Sequence, residues 1–162
     1  MIRSATSADA QAIADIYNYY ITDTIVTFEE EPLPASEIAR RIGQVYEAGL
    51  PWLVAEENGE ILGYAYATPW KDRVGYRFTV ETTVYLGKDC TGRGIGSQLY
   101  DELFRLLEAK GVHSAIGGVA LPNDASVALH EKFGMHKVAE FEKVGIKFDE
   151  WINVAYWQRI FP

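Results

Sequence analysis

The chain has little with which to build covalent or membrane-bound structure. It has a single cysteine, Cys90, so no disulfide can form within it. It has no apolar run near the roughly 18 residues that a membrane-spanning helix needs. Residues 1–5, Met-Ile-Arg-Ser-Ala, lack an apolar signal core, and a cytoplasmic protein is therefore expected. Basic residues are in deficit: 15 Lys and Arg stand against 23 Asp and Glu, for a net charge of −8. Nucleic acid is excluded on that ground, because phosphate-backbone binding needs a basic face. No low-complexity linker and no internal repeat interrupts the 162 residues, so residues 1–162 are read as one domain.

What is present is a soluble composition, 48% hydrophobic and 23% charged, with turn and helix signals at regular intervals. Residues 2–5 read as a strand, and a helix follows Ser7 or Asp9, with Ile13, Ile16, Tyr17 and Tyr20 on one face. Residues 22–34 read as a loop, and residues 35–48 as a helix stopped by Gly49. Asn58-Gly59, between apolar runs at 52–56 and 61–68, is a hairpin signal. Residues 70–75 read as a loop, 76–86 as a strand, 95–110 as a helix, 114–120 as a buried strand and 124–133 as a short helix. Residues 135–145 and 153–161 close the chain as a hairpin pair, and Val154 to Phe161 is apolar enough to be a buried edge strand. Three consecutive strands can pair antiparallel, while the strand–helix–strand unit from residue 76 to 120 must be parallel and right-handed. The expectation is an α/β fold with a mixed, twisted central sheet and helices on both faces.

The most informative stretch is Gly92-Arg93-Gly94-Ile95-Gly96-Ser97, between the strand at 76–86 and the helix at 95–110. A glycine-rich turn into a helix start lets the backbone approach a ligand and leaves N–H groups aimed at an anion. The mononucleotide loop is absent, since no Gly-Lys-Ser/Thr closes the run. The dinucleotide spacing is not met either, because the glycines fall as G-x-G-x-G. A glycine turn without a ligand is the plain structural alternative. In an acidic chain an anionic ligand needs local dipoles and a few cations, of which Arg93 and Lys132 are candidates.

Two side chains invite a chemical reading. Glu81 is the lone charge in Phe78-Thr79-Val80-Glu81-Thr82-Thr83-Val84-Tyr85-Leu86, so it is either a solvent-facing strand residue or a carboxylate lining a cleft. In a partly dry cleft its pKa would rise toward a useful range. His130 lies in the short helix after Asn123 and is either a core histidine or a general acid/base. His113 and His136 have no such context and read as surface residues. No metal-ligand spacing is found, and no metal is expected.

The loop, with Asn123, Ser126, His130 and Gly134-Met135 following it, resembles the GNAT family of acetyl-CoA-dependent N-acetyltransferases. That family carries Gln/Arg-x-x-Gly-x-Gly/Ala, which Thr91-Gly92-Arg93-Gly94-Ile95-Gly96 matches except at Thr91. It also has a tyrosine where His130 stands, and a phenylalanine where Met135 stands. Val80-Glu81-Thr82-Thr83-Val84-Tyr85, Leu121-Pro122-Asn123-Asp124-Ala125-Ser126, His130-Glu131, Thr27-Phe28-Glu29-Glu30-Glu31-Pro32 and residues 148–161 resemble the phosphinothricin and methionine sulfoximine/sulfone acetyltransferase branch.

The resemblance implies acetyl transfer from acetyl-CoA to the α-amine of a small amino acid analogue, by direct attack in a ternary complex. It implies Glu81 and His130 as the proton-handling pair, and a gap between the strand at 76–86 and the strand at 114–120 that admits the pantetheine. The backbone of Val84, Tyr85 and Leu86, together with Asn123, would hold the pantetheine, and Gly92, Arg93, Gly94, Ile95, Gly96 and Ser97 the pyrophosphate. Phe28, Glu30, Arg73, Val74, Gly75, Tyr76 and Arg77 would meet the acceptor, an arginine fork suiting its carboxylate. The family's frequent dimers imply a homodimer. Another acceptor amine (a polyamine, an aminoglycoside, a peptide N-terminus) and a non-catalytic acyl-CoA sensor stay open.

Overall fold

Asn58 and Gly59 adopt φ of 53° and 81°, the mirror-image turn whose twist matches the strands it joins. β2 (Trp52–Glu57) and β3 (Glu60–Pro69) pair antiparallel across it, and β4 (Thr79–Leu86) continues the meander. β1 (Ile2–Ser4) pairs with the free side of β2. The computed structural model describes residues 1–162, and its seven strands form one sheet in the order β1-β2-β3-β4-β5-β7-β6. α3 (Ile95–Ala109) is the crossover from β4 to its parallel neighbour β5 (Ser114–Ala120). α4 (Asp124–Lys132) starts where the Asn123 side chain accepts the Ser126 N–H at 3.2 Å. No helix is long and apolar enough to cross a membrane.

Alternation along β2 explains why the sheet is covered on both faces. Trp52 and Val54 join Ile13, Ile21, Ile38 and Ile42 beneath α1 (Ala10–Asp23) and α2 (Ala35–Glu47). Leu53 and Ala55 join Leu99, Leu103 and Leu107 beneath α3. Burying such residues stabilises by about 25 cal/mol per Å² of apolar surface, so the two layers are the main source of cohesion.

Four expectations need correction. Asp9 does not cap α1 with its side chain; it accepts the Thr6 N–H at 2.8 Å and pairs with Arg3 at 2.8 Å, at a short 3-10 turn. The strand expected from residue 76 begins at Thr79, because Val74–Tyr76 forms a 3-10 turn. The terminal hairpin is longer than expected: β6 (His136–Lys147) and β7 (Glu150–Ile160) meet at Phe148-Asp149, both at positive φ without a glycine. Bulges between Lys137 and Ala139 and between Phe141 and Gly145 interrupt the period-two pattern that would have revealed β6. Finally, the apolar segment of β7 is no edge: β5 and β6 flank it, and β6 is the edge strand.

Candidate active site

The parallel pairing of β4 with β5 covers only Thr79–Ser114, Val80–Ala115 and Glu81–Ile116. Beyond Glu81 the strands part, and from there the edge of β4 that faces β5 has no strand partner. A cavity of about 260 Å³ opens at the fork, with Glu81, Thr82 to Tyr85, Gly118 to Ala120, Asn123, His130 and Phe28 on its walls. A larger cleft of about 730 Å³ lies between α1 and the β2–β3 hairpin, around Arg3, Glu56 and Asp89. It holds neither Glu81 nor His130, so the smaller cavity is the chemical candidate.

Glu81 sits at the fork itself. Burial raises its carboxyl above the usual 4.5, and the charge of Lys71 offsets part of that rise. His130 is 3% exposed. Its Nδ1 lies 2.6 Å from the Ser126 carbonyl oxygen, so Nδ1 carries the proton and donates. Nε2 is left as an acceptor, 3.3 Å from the Tyr100 hydroxyl, which lies 3.4 Å from Thr82 Oγ1. Burial lowers the His130 pKa below 6.5, which keeps the imidazole neutral at pH 7. Burial also raises the Tyr100 phenol, which stays a proton donor. Gly117 makes room for this ring: a Cβ there would stand 2.6 Å from His130 Cδ2.

At the start of α3, Gly92 and Gly94 take φ of 75° and 78°, conformations that L side chains avoid. The first helical hydrogen bond runs from the Gln98 N–H to the Gly94 carbonyl at 3.1 Å. The N–H groups of Ile95, Gly96 and Ser97 therefore have no intrahelical partner and sit at the positive end of the helix. Gly96 serves a different end, since a Cβ there would reach 3.3 Å from Leu129 of α4. Lys132 donates to Ser97 Oγ at 2.9 Å, beside these N–H groups. Arg93 instead pairs with Glu57 at 2.8 Å. The Tyr85 side chain packs among Tyr17, Tyr20 and Tyr64, with centroids 5.2, 5.0 and 5.7 Å away, and its backbone pairs with Tyr64 of β3, so the backbone groups on the open side of β4 are those of Val84 and Leu86. Val84 and Leu86 likewise pack against the α3 core.

The residues expected around the acceptor are dispersed. Phe28 lines the Glu81 cavity. Glu30 lies in a separate depression with Lys147 and Phe148. Arg73 and Tyr76 line a third, with Trp70 and Lys71. Val74 is 75% exposed, while Gly75 follows it in the same 3-10 turn and Arg77 stacks on Phe78 at 4.5 Å. The third depression adjoins the cavity, because Trp70 packs edge-on against Tyr156 of the cavity wall at 5.8 Å. Sequence reasoning missed Tyr100, Thr82 and Lys71. Tyr100 lies among the leucines of α3, where its hydroxyl is the only sign of a polar role.

A profile of the acetyltransferase (GNAT) domain matches residues 2–155. The phosphinothricin N-acetyltransferase of Streptomyces viridochromogenes is 42% identical over 160 residues, covering 99% of this chain and 87% of the relative. The L-methionine sulfoximine/L-methionine sulfone acetyltransferase of Salmonella typhimurium is 34% identical over 161 residues, covering 97% and 92%. The crystal structure of a GNAT phosphinothricin acetyltransferase from Sinorhizobium meliloti, in complex with acetyl-CoA, superposes with a TM-score of 0.95 at 34% identity over 99% of this chain and 87% of the other.

Proposed function

The chain belongs to the GNAT acetyltransferase family and is an acetyl-CoA-dependent N-acetyltransferase, and from that premise we propose that it acetylates the α-amine of small amino acid analogues of the phosphinothricin and methionine sulfoximine/sulfone type. The observation that carries this reading is the fork at Glu81. A half-buried carboxylate stands where β4 loses its partner, and the same strand leads on to the glycine loop.

Acetyl-CoA supplies the activated acetyl thioester. Glu81 accepts the proton that the attacking ammonium must lose, directly or through one water. The unpaired edge of β4 offers the Val84 backbone N–H toward the charge that develops on the thioester oxygen. Neutral His130, its Nδ1 proton held on Ser126, presents Nε2 to the Tyr100 hydroxyl. We assign Tyr100 the second proton step: it gives its one hydroxyl proton to the leaving thiolate, His130 Nε2 positions that hydroxyl, and the phenolate takes a proton back from solvent after CoA leaves. The Ile95, Gly96 and Ser97 N–H groups and Lys132 hold the pyrophosphate, and Asn123 faces the pantetheine from the far wall. Arg73 and Lys71 at the rim supply countercharge for an acceptor carboxylate. The apolar β6–β7 hairpin, where Phe141, Val144, Phe148 and Trp151 are all more than half exposed, fits a homodimer contact.

The test is CoA release from acetyl-CoA with methionine sulfone, methionine sulfoximine, phosphinothricin, spermidine and an aminoglycoside. Turnover confined to the first three supports the reading. Faster turnover of the polycations assigns the cavity to another acceptor class. Acetyl-CoA binding without turnover of any amine marks a sensor.

A further inference from the structure

Residues 24–34 form a strap between α1 and α2 that closes one side of the Glu81 cavity with Val26, Thr27 and Phe28. A side chain from the far end of the chain holds it. Lys147, the last residue of β6, is only 2% exposed. Its Nζ donates to the carbonyl of Thr27 at 2.6 Å and to that of Glu29 at 3.0 Å, the two residues on either side of Phe28. Arg41 of α2 grips the Glu29 carboxylate through two bonds of 2.7 and 3.0 Å, and Tyr17 of α1 donates to the same carboxylate. The strap is thus fixed from three elements.

The ring of Phe28 rests on Gly145. A Cβ at that position would stand 2.5 Å from Cε1 and 2.8 Å from Cε2, and closer still to Cζ. Gly145 and Lys147 are two residues apart on β6 and so share a face of the strand. One lies beneath the ring of Phe28, the other beneath its backbone. The bulge before Gly145, where Asn153 Oδ1 accepts the Lys143 N–H at 2.8 Å, sets this register.

We propose that Gly145 and Lys147 are positioning residues that set the size of acceptor side chain admitted beside Glu81, by fixing Phe28 as a wall of that cavity. The proposal rests on the reading of the cavity as the acceptor site. Neither residue touches the reacting atoms. A packed wall held from several sides does not yield, so a displacement of one methyl group changes which acceptor fits.

The experiment compares methionine sulfone with its one-carbon-longer homologue, ethionine sulfone, as acceptors for the wild type, Gly145→Ala, Lys147→Met and the double variant Gly145→Ala/Phe28→Leu. Thermal unfolding is recorded for each. Gly145→Ala is expected to raise the KM for methionine sulfone about tenfold, with the KM for acetyl-CoA unchanged. The double variant is expected to recover the acceptor KM and to gain on ethionine sulfone. Lys147→Met is expected to raise the ratio of kcat/KM for ethionine sulfone over methionine sulfone. Folded variants whose acceptor ratios match the wild type, or whose two KM values rise together, overturn the proposal. Should Gly145→Ala not fold, recovery of folding in the double variant, with ethionine sulfone admitted, supports it, and failure of both to fold overturns it. A wild type that acetylates neither sulfone but does acetylate another amine overturns the acceptor reading and this proposal with it.

Discussion

The glycine loop follows β4 and the Glu81–His130 cavity is lined by it, yet the two are built by different means. The loop works with backbone: left-handed Gly92 and Gly94, and three unpaired N–H groups at the start of α3. Its side chains are secondary, as Arg93 shows by facing Glu57 instead of the helix start. The cavity works with side chains from β4, α3, α4 and the strap, and Glu81, Tyr100 and His130 among them are buried enough to shift their proton affinities. Backbone chemistry survives many substitutions but not a change of φ. Side-chain chemistry fails with a single functional atom.

Substitutions at the two regions should therefore separate cleanly. The largest effect is expected for Glu81→Gln, with kcat/KM falling about 10²- to 10³-fold and little change in acetyl-CoA affinity. In the wild type, steady-state rates should rise with pH on an acid limb lying above the ordinary carboxylate value, because burial raises the Glu81 pKa and only the carboxylate accepts a proton. That limb should vanish in the variant. A smaller effect, read in the opposite parameter, is expected for Gly94→Ala. A φ of 78° costs an L residue about 1–2 kcal/mol, and the KM for acetyl-CoA should rise about tenfold while the acceptor KM holds.

His130→Gln sharpens the contrast through stability. His130 is buried neutral with its pKa held below 6.5, so the unfolded chain binds more protons than the native one at mildly acid pH. Wild-type stability is full above that value and declines as pH falls below it, as urea unfolding at several pH values should record. The variant should lose that part of the slope. The smallest effect is expected for Arg93→Ala, an exposed ion pair whose loss should change the acetyl-CoA KM by less than about twofold. A tenfold loss there would mean that Arg93 leaves Glu57 to bind the ligand.

Local patterns were legible in proportion to how locally they are enforced. The Asn58-Gly59 turn and the amphipathic α3 follow from neighbours in sequence. The Phe148-Asp149 turn was not legible, because Phe148 does not favour positive φ by itself and the bulges of β6 hide its alternation. Nothing in the neighbourhood of Lys147 marks it as buried; the strap that lies across it comes some 120 positions earlier. The acceptor segments were the least legible, since Phe28 entered the cavity while Arg73 and Glu30 went to neighbouring depressions.

By itself, the sequence determined the order of elements and the glycine turn into α3, and it marked Glu81 and His130 as candidates, because periodicity, turn chemistry and residue type act over a few positions. Only the tertiary structure decided that β4 and β5 part after Glu81, that His130 keeps its Nδ1 proton and faces Tyr100, and that a lysine of the last hairpin holds the first loop. Those outcomes depend on burial and on contacts between distant segments, and neither exists until the two layers have packed against the sheet.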